Sequence, residues 1–272
     1  MKSLAAVNIR QYERAVESLE EYKGIVDSGW EVLFRYGGPV SWKIPGNSAV
    51  CMVIGSDQGM CGQFNEALIS YALEQVKGLE AKGLGVTFWV VGEKVLGSLE
   101  DMGHEIGLQF SVPGSLIGIN NLVQTAVQNI ESSRSSRGLE RLYVCHNMLS
   151  EGSGYRQVFY RVLPLDKDWA AQYRNRKWPG TCLPLMGLAQ EDMFTHLLRQ
   201  YFFVSFYRAF AQSLAGENAA RLIAMQAAEK NILEMEEELL ALFREQRQAN
   251  ITNELLDIVS GFEALSEDKP GL

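Results

Sequence analysis

A glycine-rich turn at residues 55–62 is the segment whose residue types could best bind a phosphate group. It follows an apolar run and precedes a helical pattern that starts at Asn65, so its backbone N–H groups could face an anion. A Walker loop ends in Gly-Lys-Ser/Thr, whereas this turn ends in Cys61-Gly62-Gln63, and the dinucleotide spacing G-x-G-x-x-G is also missing. We therefore interpret the segment as a tight strand-to-helix turn in which Ser56 and Asp57 satisfy backbone donors.

Cys61 is a candidate nucleophile, because the N-terminus of a helix lowers the pKa of a thiol. No histidine lies near it in sequence, so a small buried residue is the better interpretation. The four cysteines form no C-x-x-C pair and the three histidines form no H-E-x-x-H motif, so a zinc site is not expected. The acidic run at 234–238 is typical of a solvated helix face rather than of a divalent-ion site. The sequence thus predicts no catalytic residue, no cofactor and no bound metal.

The composition is that of a folded, acidic protein. The 272 residues include 25 Lys and Arg against 33 Asp and Glu, and the formal net charge of −8 argues against binding to nucleic acid or to an anionic membrane surface. No run reaches the roughly 18 to 20 apolar residues of a membrane span, and the charged opening residues do not form a signal peptide. The expected compartment is therefore the cytoplasm.

Two proline-free segments at the ends of the chain predict long helices. Residues 1–36 carry a narrow apolar stripe in steps of three and four, which ends before Gly37-Gly38-Pro39. Residues 190–263 would form a helix on the order of 110 Å long, too long for a domain of this size to bury. Within it, a seven-residue repeat runs from 225 to 256, as in a coiled coil, and a rotated apolar stripe covers 251–262. The rotation indicates that the end of this helix faces something other than the first helix.

Between the terminal helices, strand-like and helix-like patterns alternate. The predicted strands lie at 49–54, 86–91, 105–110, 141–148 and 156–164, and the predicted helices at 65–79, 93–102 and 115–132. This alternation predicts a central, Rossmann-like α/β domain with a parallel layer over residues 48–165. A polar connection at 166–189 joins it to the last helix, and residues 264–272 form a tail.

The terminal helices bracket the central domain, so we expect an α/β protein in which they form a long antiparallel coiled coil. Three functions fit this architecture. They are a shaft or scaffold, an α/β nucleotide- or phosphate-binding enzyme with helical appendages, and a coiled-coil adaptor. The enzyme would need the turn at 55–62 to bind phosphate, which its sequence does not favour.

Three stretches make the chain similar to a known family. The first helix opens with Met1-Lys-Ser-Leu-Ala-Ala-Val-Asn-Ile-Arg10, and the glycine-rich turn contains Ser56-Asp-Gln-Gly-Met-Cys-Gly62. The last helix contains Ala215-Gly-Glu-Asn-Ala-Ala-Arg221, continuing to Asn231, and then Arg247-Gln-Ala-Asn-Ile-Thr-Asn-Glu-Leu255. Together they resemble the gamma subunit of F-type ATP synthases, the central rotor shaft, over nearly the whole chain.

The resemblance implies work within a complex and no catalysis by this chain alone. The coiled coil would stand inside a hexamer of alpha and beta subunits with its tip in an apolar sleeve. The α/β domain would sit on the epsilon subunit and the membrane c-ring. Rotation would couple transmembrane ion flow to ATP synthesis or hydrolysis at the cytoplasmic face of the cell membrane. Membrane contact would be peripheral, through the complex alone.

The resemblance also assigns partner contacts on the two terminal helices. The polar contacts to a beta-subunit loop would be Arg247, Gln248 and Thr252. The contacts to the apolar sleeve would be Ile251, Leu255, Ile258 and Val259. The matching contact region on the opposing helix is Met1 and Lys2.

The chain also differs from the family in places. Family members begin upstream of the position that matches Met1, so we expect the usual N-terminal segment to be missing. The chloroplast-type cysteine-pair insert is not found in the sequence, which favours a bacterial member. The tyrosine-rich opening helix favours a divergent branch, an alternative ion-translocating ATPase.

Overall fold

The computed structural model describes residues 2–36, 46–136, 139, 141–150, 154–178, 180–182 and 184–267. The elements in chain order are α1 (Lys2–Tyr36), β1 (Ser48–Ile54), α2 (Phe64–Glu80), β2 (Gly85–Val91), α3 (Glu93–Asp101), β3 (Ile106–Phe110), α4 (Leu116–Ser136), β4 (Arg141–Ser150), β5 (Gly154–Leu163), α5 (Lys167–Arg174) and α6 (Gln190–Glu267). The helix α6 continues past the predicted end at 263. Met1 and residues 268–272 lie outside the described residues.

The chain divides into two compact units, Met1–Ala224 and Met225–Leu272. The first unit holds α1 to α5, the five-stranded sheet and the first part of α6. The second unit is the remainder of α6. The boundary thus falls within one continuous helix and not at a loop.

The first unit is built on a sheet with the strand order β3-β2-β1-β4-β5. The strand β1 pairs in parallel with β2 and β4, and β2 pairs in parallel with β3. The predicted Rossmann-like α/β layer is therefore confirmed. The edge strand β5 runs antiparallel to β4. Its direction follows from the short chain between Ser150 and Gly154, because a parallel crossover needs about a dozen residues or more.

The sheet is buried on both faces, which explains the unbroken apolar run of β1. Val50, Met52 and Ile54 face a core shared with α1, α4 and α6. Cys51 and Val53 face a second core shared with α2 and α3. Because side chains alternate along a strand, a strand covered on both faces must be apolar at every position.

The helix α1 pairs with the first part of α6 through a regular seam. Its buried positions recur every seven residues, at Ala5, Tyr12, Leu19, Val26 and Leu33.

Polar and aromatic contacts fix the direction of this pairing. Asn8 Nδ2 donates to Asn218 Oδ1 over 3.4 Å. The Tyr22 hydroxyl donates to Gln200 Oε1 over 2.6 Å, and the Trp30 ring lies 5.5 Å from that of Phe194. Numbers rise along α1 as they fall along α6, so the predicted antiparallel pairing of the terminal helices is confirmed for this part of α6.

The connection predicted at 166–189 contains a short helix, α5. Asp166 caps it, since its Oδ1 accepts from the backbone N–H of Trp169 over 2.9 Å. The Trp169 ring meets the Trp30 ring edge-on at 5.0 Å, and the Tyr173 hydroxyl donates to Asp27 Oδ1 over 3.1 Å. The helix α5 therefore packs against the C-terminal half of α1.

The helix α6 is also seated on the sheet, at the carboxyl ends of β1 and β4. The Ser213 hydroxyl donates to the carbonyl oxygen of Ile54 over 3.0 Å. His146 Nε2 lies 3.0 Å from Gln212 Oε1. All three of Ile54, His146 and Ser213 are buried, so these contacts are shielded from water.

Burial of His146 makes the stability of the first unit depend on pH. Burial lowers the pKa of His146 to about 4, against 6.5 in an unfolded chain. The unfolded chain therefore binds more protons between these values, and stability falls as the pH decreases from 6.5 to 4. We expect this group to contribute a loss of about 3 kcal/mol in the free energy of unfolding, measured by urea denaturation followed by tryptophan fluorescence. His146→Gln should remove this contribution.

The matched control is His196→Gln, at an exposed position of α6. It should keep the wild-type dependence on pH. If the free energy of unfolding decreased equally with pH in wild type and in His146→Gln between pH 6.5 and 4, burial of His146 would not be the cause.

Candidate partner interface

Ser56, in the glycine-rich turn at 55–62, makes its hydrogen bonds within the protein. The Ser56 backbone N–H donates to Asn65 Oδ1 over 3.1 Å, and the Ser56 hydroxyl donates to the carbonyl oxygen of Gln58 over 2.9 Å. The Ser56 carbonyl oxygen accepts from the backbone N–H of Lys94 over 3.1 Å, so Ser56 satisfies a backbone donor as predicted, although through its main chain and not through its hydroxyl. The acceptor for the Ser56 backbone N–H is the side chain of Asn65 in α2, nine residues away in sequence.

Asp57 does satisfy backbone donors, as predicted, and links two further segments to the turn. Its Oδ1 accepts from the N–H of Glu93 at the start of α3, and its Oδ2 from that of Val112 after β3, both over 3.0 Å. Gly92 lies beside this link at φ 106°, and a Cβ there would sit 2.7 Å from the Ser56 carbonyl oxygen. A side chain at position 92 would therefore push the two segments apart.

Two acidic groups and α6 occupy the region where a phosphate would bind in an open α/β sheet, beside the ends of β1 and β4. One is Asp57, whose carboxylate accepts from the N–H groups of Glu93 and Val112. Glu217 of α6 is 6% exposed and pairs with Arg221 over 2.5 Å. Burial raises the pKa of Glu217. Cys61 is 2% exposed and burial raises its pKa, so the interpretation as a small buried residue is confirmed.

We expect the full chain to give no saturable heat with ATP, ADP or NAD in calorimetry. The N–H groups of Gly55 and Ser56 already have acceptors, and added phosphate charge would meet the carboxylate of Asp57. Micromolar binding that Gly59→Val abolishes would contradict this expectation.

The second unit has no buried side chain among residues 226 to 262, because every one of these residues is exposed. Large apolar side chains are among them. They are Ile232, Leu233, Met235, Leu239, Leu240, Leu242, Phe243, Ile251, Leu255, Leu256, Ile258, Val259 and Phe262. The segment is rich in Ala, Leu, Glu, Lys and Arg, which favour helix formation locally. The ion pair between Lys230 and Glu234, at 3.5 Å, is exposed and therefore adds little to the stability of the helix.

The exposed apolar residues of this unit lie on two opposite faces of the helix. At about 100° per residue, the seven expected contacts of the last helix fall within an arc of about 140°. These are Arg247, Gln248, Ile251, Thr252, Leu255, Ile258 and Val259. The heptad stripe from 225 to 256 is centred on the other side. A helix that is apolar on two faces needs burial on both to be stable in water.

The structure adds detail to the expected contact face, which we define as these seven residues. The Thr252 hydroxyl donates to the carbonyl oxygen of Gln248 over 2.9 Å, so it lies against its own helix. Leu233 and Leu240 fall on the same side, about 20° apart around the helix, and the sequence did not predict them as contacts. Their seven-residue spacing, continued by Arg247, is the signal that could have found them. Of the two expected contacts on α1, Lys2 is half-buried and Met1 lies outside the described residues.

The described residues hold neither a cluster of metal ligands nor a membrane span. Within those ranges no three His, Cys, Asp or Glu side chains come together as a metal site. None of the described helices is both long enough and apolar enough to cross a membrane.

A family model described as ATP synthase matches residues 1–265. The chain is also 25% identical to the ATP synthase gamma chain of Histophilus somni strain 2336, over 97% of this chain and 92% of that one. The chain belongs to the ATP synthase gamma-chain family. The gamma chain of Mannheimia succiniciproducens is 29% identical, over 79% of this chain and 73% of that protein.

Solved structures share the fold of this chain. A chain from the Euglena gracilis mitochondrial ATP synthase matches with a TM-score of 0.62 and 16% identity, covering 98% of each chain. A chain from the Tetrahymena thermophila central stalk and c-ring matches with a TM-score of 0.58 and 19% identity, covering 84% of this chain and 97% of that one. Chains of these two ATP synthases therefore share the fold of this chain although their sequences differ widely from it.

We expect this gamma chain to self-associate in isolation, because the heptad stripe exposes apolar side chains. Replacing Leu239 and Leu242 together by Gln should weaken association at least tenfold, since burying each leucine is worth about 1.5 to 3 kcal/mol. Sedimentation velocity over a concentration series measures the effect. The control Glu237→Gln with Glu238→Gln should leave association unchanged or stronger. A wild-type chain that stays monomeric at every concentration would contradict the expectation.

Proposed function

We propose that this chain is the rotor subunit in the central stalk of an F-type ATP synthase or ATPase. It couples transmembrane ion flow to ATP synthesis or hydrolysis in a hexamer of alpha and beta subunits. The observation that carries the proposal is the second unit, a helix with apolar side chains exposed on two opposite faces. Such a helix fits a site where other subunits surround it.

The contact face differs in chemistry from the opposite side of this helix. It combines the polar Arg247, Gln248 and Thr252 with the apolar Ile251 and Ile258, whereas the opposite stripe is mainly Met, Leu and Ala. A subunit beside a turning helix would meet each face in succession. Rotation would therefore present different chemistry to each beta subunit in turn.

Arg247 and Gln248 would bind a beta-subunit loop, because a guanidinium and an amide offer several donors to carboxylate and carbonyl oxygens. Thr252 would add a weaker contact, since its hydroxyl proton is already donated to Gln248. Ile251, Leu255, Ile258 and Val259 would lie in the apolar sleeve. Met1 and Lys2 would form the matching contact on the opposing helix.

The first unit would transmit the torque. A shaft must be held by a body that does not slip, and α6 is held in this unit by the seam with α1 and by Ser213 and Gln212 on the sheet. This unit would sit on the epsilon subunit and the membrane c-ring. The chain would therefore be peripheral, at the cytoplasmic face of the cell membrane.

The chain alone would not hydrolyse ATP. The first two N–H groups of its glycine-rich turn, those of Gly55 and Ser56, already have acceptors, and Cys61 is buried with a raised pKa. The adaptor alternative shares the two-faced helix but requires neither hexamer assembly nor rotation. Reconstitution separates the two, because a rotor subunit should restore coupled ATPase turnover to alpha and beta subunits of a gamma-less complex.

We expect Arg247→Ala combined with Gln248→Ala to lower ATPase turnover of the assembled complex at least fivefold. Both side chains are exposed, so their loss should change the unfolding free energy of this subunit by no more than about 0.5 kcal/mol. Turnover per assembled complex and thermal melting of the subunit are the two measurements.

Gln246→Ala combined with Asn250→Ala is the control. These residues are also polar and exposed, but they lie on the opposite side of the helix. The control should keep most of the turnover. Sharply reduced melting of the Arg247/Gln248 variant with unchanged turnover would show that those two residues are structural instead.

A further inference from the structure

The side of the exposed helix that carries the contact face changes its charge along the helix axis. Before residue 240 this side carries Glu234 and Glu237, and Glu234 pairs with Lys230 over 3.5 Å. After residue 250 the described residues on this side are uncharged. Arg244 and Arg247 lie between these two parts. We define these two residues as the cationic band.

Arg244 lies within the arc of the contact face, although the family resemblance assigns it no contact. At about 100° per residue, it falls between Arg247 and Gln248 around the helix, about 60° from the first and about 40° from the second. It precedes both by about one helical turn. All three side chains are exposed, so a group that binds Arg247 and Gln248 is within reach of Arg244.

The helix itself offers Arg244 no counter-charge. Charged side chains of a helix pair at spacings of three or four residues. The four residues at those spacings from Arg244 carry no negative charge, and they are Leu240, Ala241, Arg247 and Gln248. Glu245 is the next residue in sequence and lies about 100° away around the helix. Among the described residues, neither Arg244 nor Arg247 makes an ion pair.

The chemistry of the cationic band favours an acidic protein loop as its partner. Two guanidinium groups three residues apart repel each other, and carboxylates would relieve this repulsion through charge-assisted hydrogen bonds. The apolar Ile251 and Leu255, which follow on the same side, need burial against protein. A free phosphate would leave them exposed, and the net charge of −8 disfavours a nucleic acid.

We propose that the cationic band binds a loop with two carboxylates on a surrounding subunit, one carboxylate at Arg247 and the other at Arg244. Arg244 is thus a further contact residue of the rotor. The inference rests on the proposed function, because the loop belongs to a subunit of the hexamer. The band also fixes the position of the loop along the helix axis, since Glu237 repels carboxylates on one side and Ile251 cannot pair with them on the other.

Replacement of Arg244 in the reconstituted complex tests the inference. Arg244→Gln should lower ATPase turnover at low salt at least threefold, because it removes one of two ionic contacts. It should also make turnover less sensitive to KCl up to about 0.2 M, because salt then screens fewer charge pairs. Arg244→Lys keeps the charge and should restore at least half of the wild-type turnover. Thermal melting of the subunit should be unchanged in both variants, because the side chain is exposed.

The matched control is Glu245→Gln, at an exposed position outside the arc of the contact face. It should keep the wild-type turnover and its salt dependence.

A photo-crosslinker attached to Arg244→Cys identifies the partner in the assembled complex. Mass spectrometry should find the cross-link in an Asp- or Glu-rich segment of an alpha or beta subunit. The parent chain carries the exposed Cys182, so the parent labelled in the same way is the control for cross-links from that position.

The results separate this inference from the proposed function. A wild-type chain that restores no turnover to the gamma-less complex would overturn both. If Arg247→Ala with Gln248→Ala lowers a restored turnover but Arg244→Gln does not, this inference alone is wrong. Equal salt dependence in wild type and Arg244→Gln, or a cross-link from position 244 to a segment without acidic residues, would likewise overturn it.

Discussion

The seating of α6 on the carboxyl ends of β1 and β4 is the contact on which the rest of the structure depends. Through Ser213 and Gln212 the helix is hydrogen-bonded to Ile54 and His146 in a buried environment. The same stretch of helix packs against α1 on another side. The helix α6 thus contacts both the sheet and α1. Loss of its contacts with β1 and β4 would separate the sheet from the pair of terminal helices.

This contact also explains why the crevice beside β1 and β4 is not an open nucleotide site. Rossmann-like sheets bind ligands where the strand order reverses, which here is between β1 and β4. In this chain α6 lies there, and Asp57 uses both carboxylate oxygens to hold α3 and the segment after β3. A fold shared with many enzymes is therefore used as a structural base.

The sequence was sufficient for features that depend on local periodicity. The unbroken apolar run of β1 and the stripe of α1 both correspond to buried positions. It was not sufficient where contacts join distant parts of the chain. The part of α6 that pairs with α1 contains Phe202, Phe206 and Phe210 and is buried on several sides, so it shows no clear heptad pattern. The clearest heptads, from 225 to 256, lie in the exposed unit. Asn65 as the acceptor for Ser56 and the direction of β5 likewise depend on tertiary geometry.

The exposed helix of the second unit has a consequence for how the chain tolerates change. A domain with its own core limits substitutions by its own stability, whereas this helix has no core among the residues from 226 to 262. The free energy that would fold it further is available only on assembly, so its effective stability rises with the concentration of its partners. Substitutions in this helix are therefore limited by its contacts with partners and not by a core of its own. With the proposed function, exchanging this segment between relatives would also require exchanging the subunit surfaces around it, whereas the first unit could be exchanged with fewer such changes.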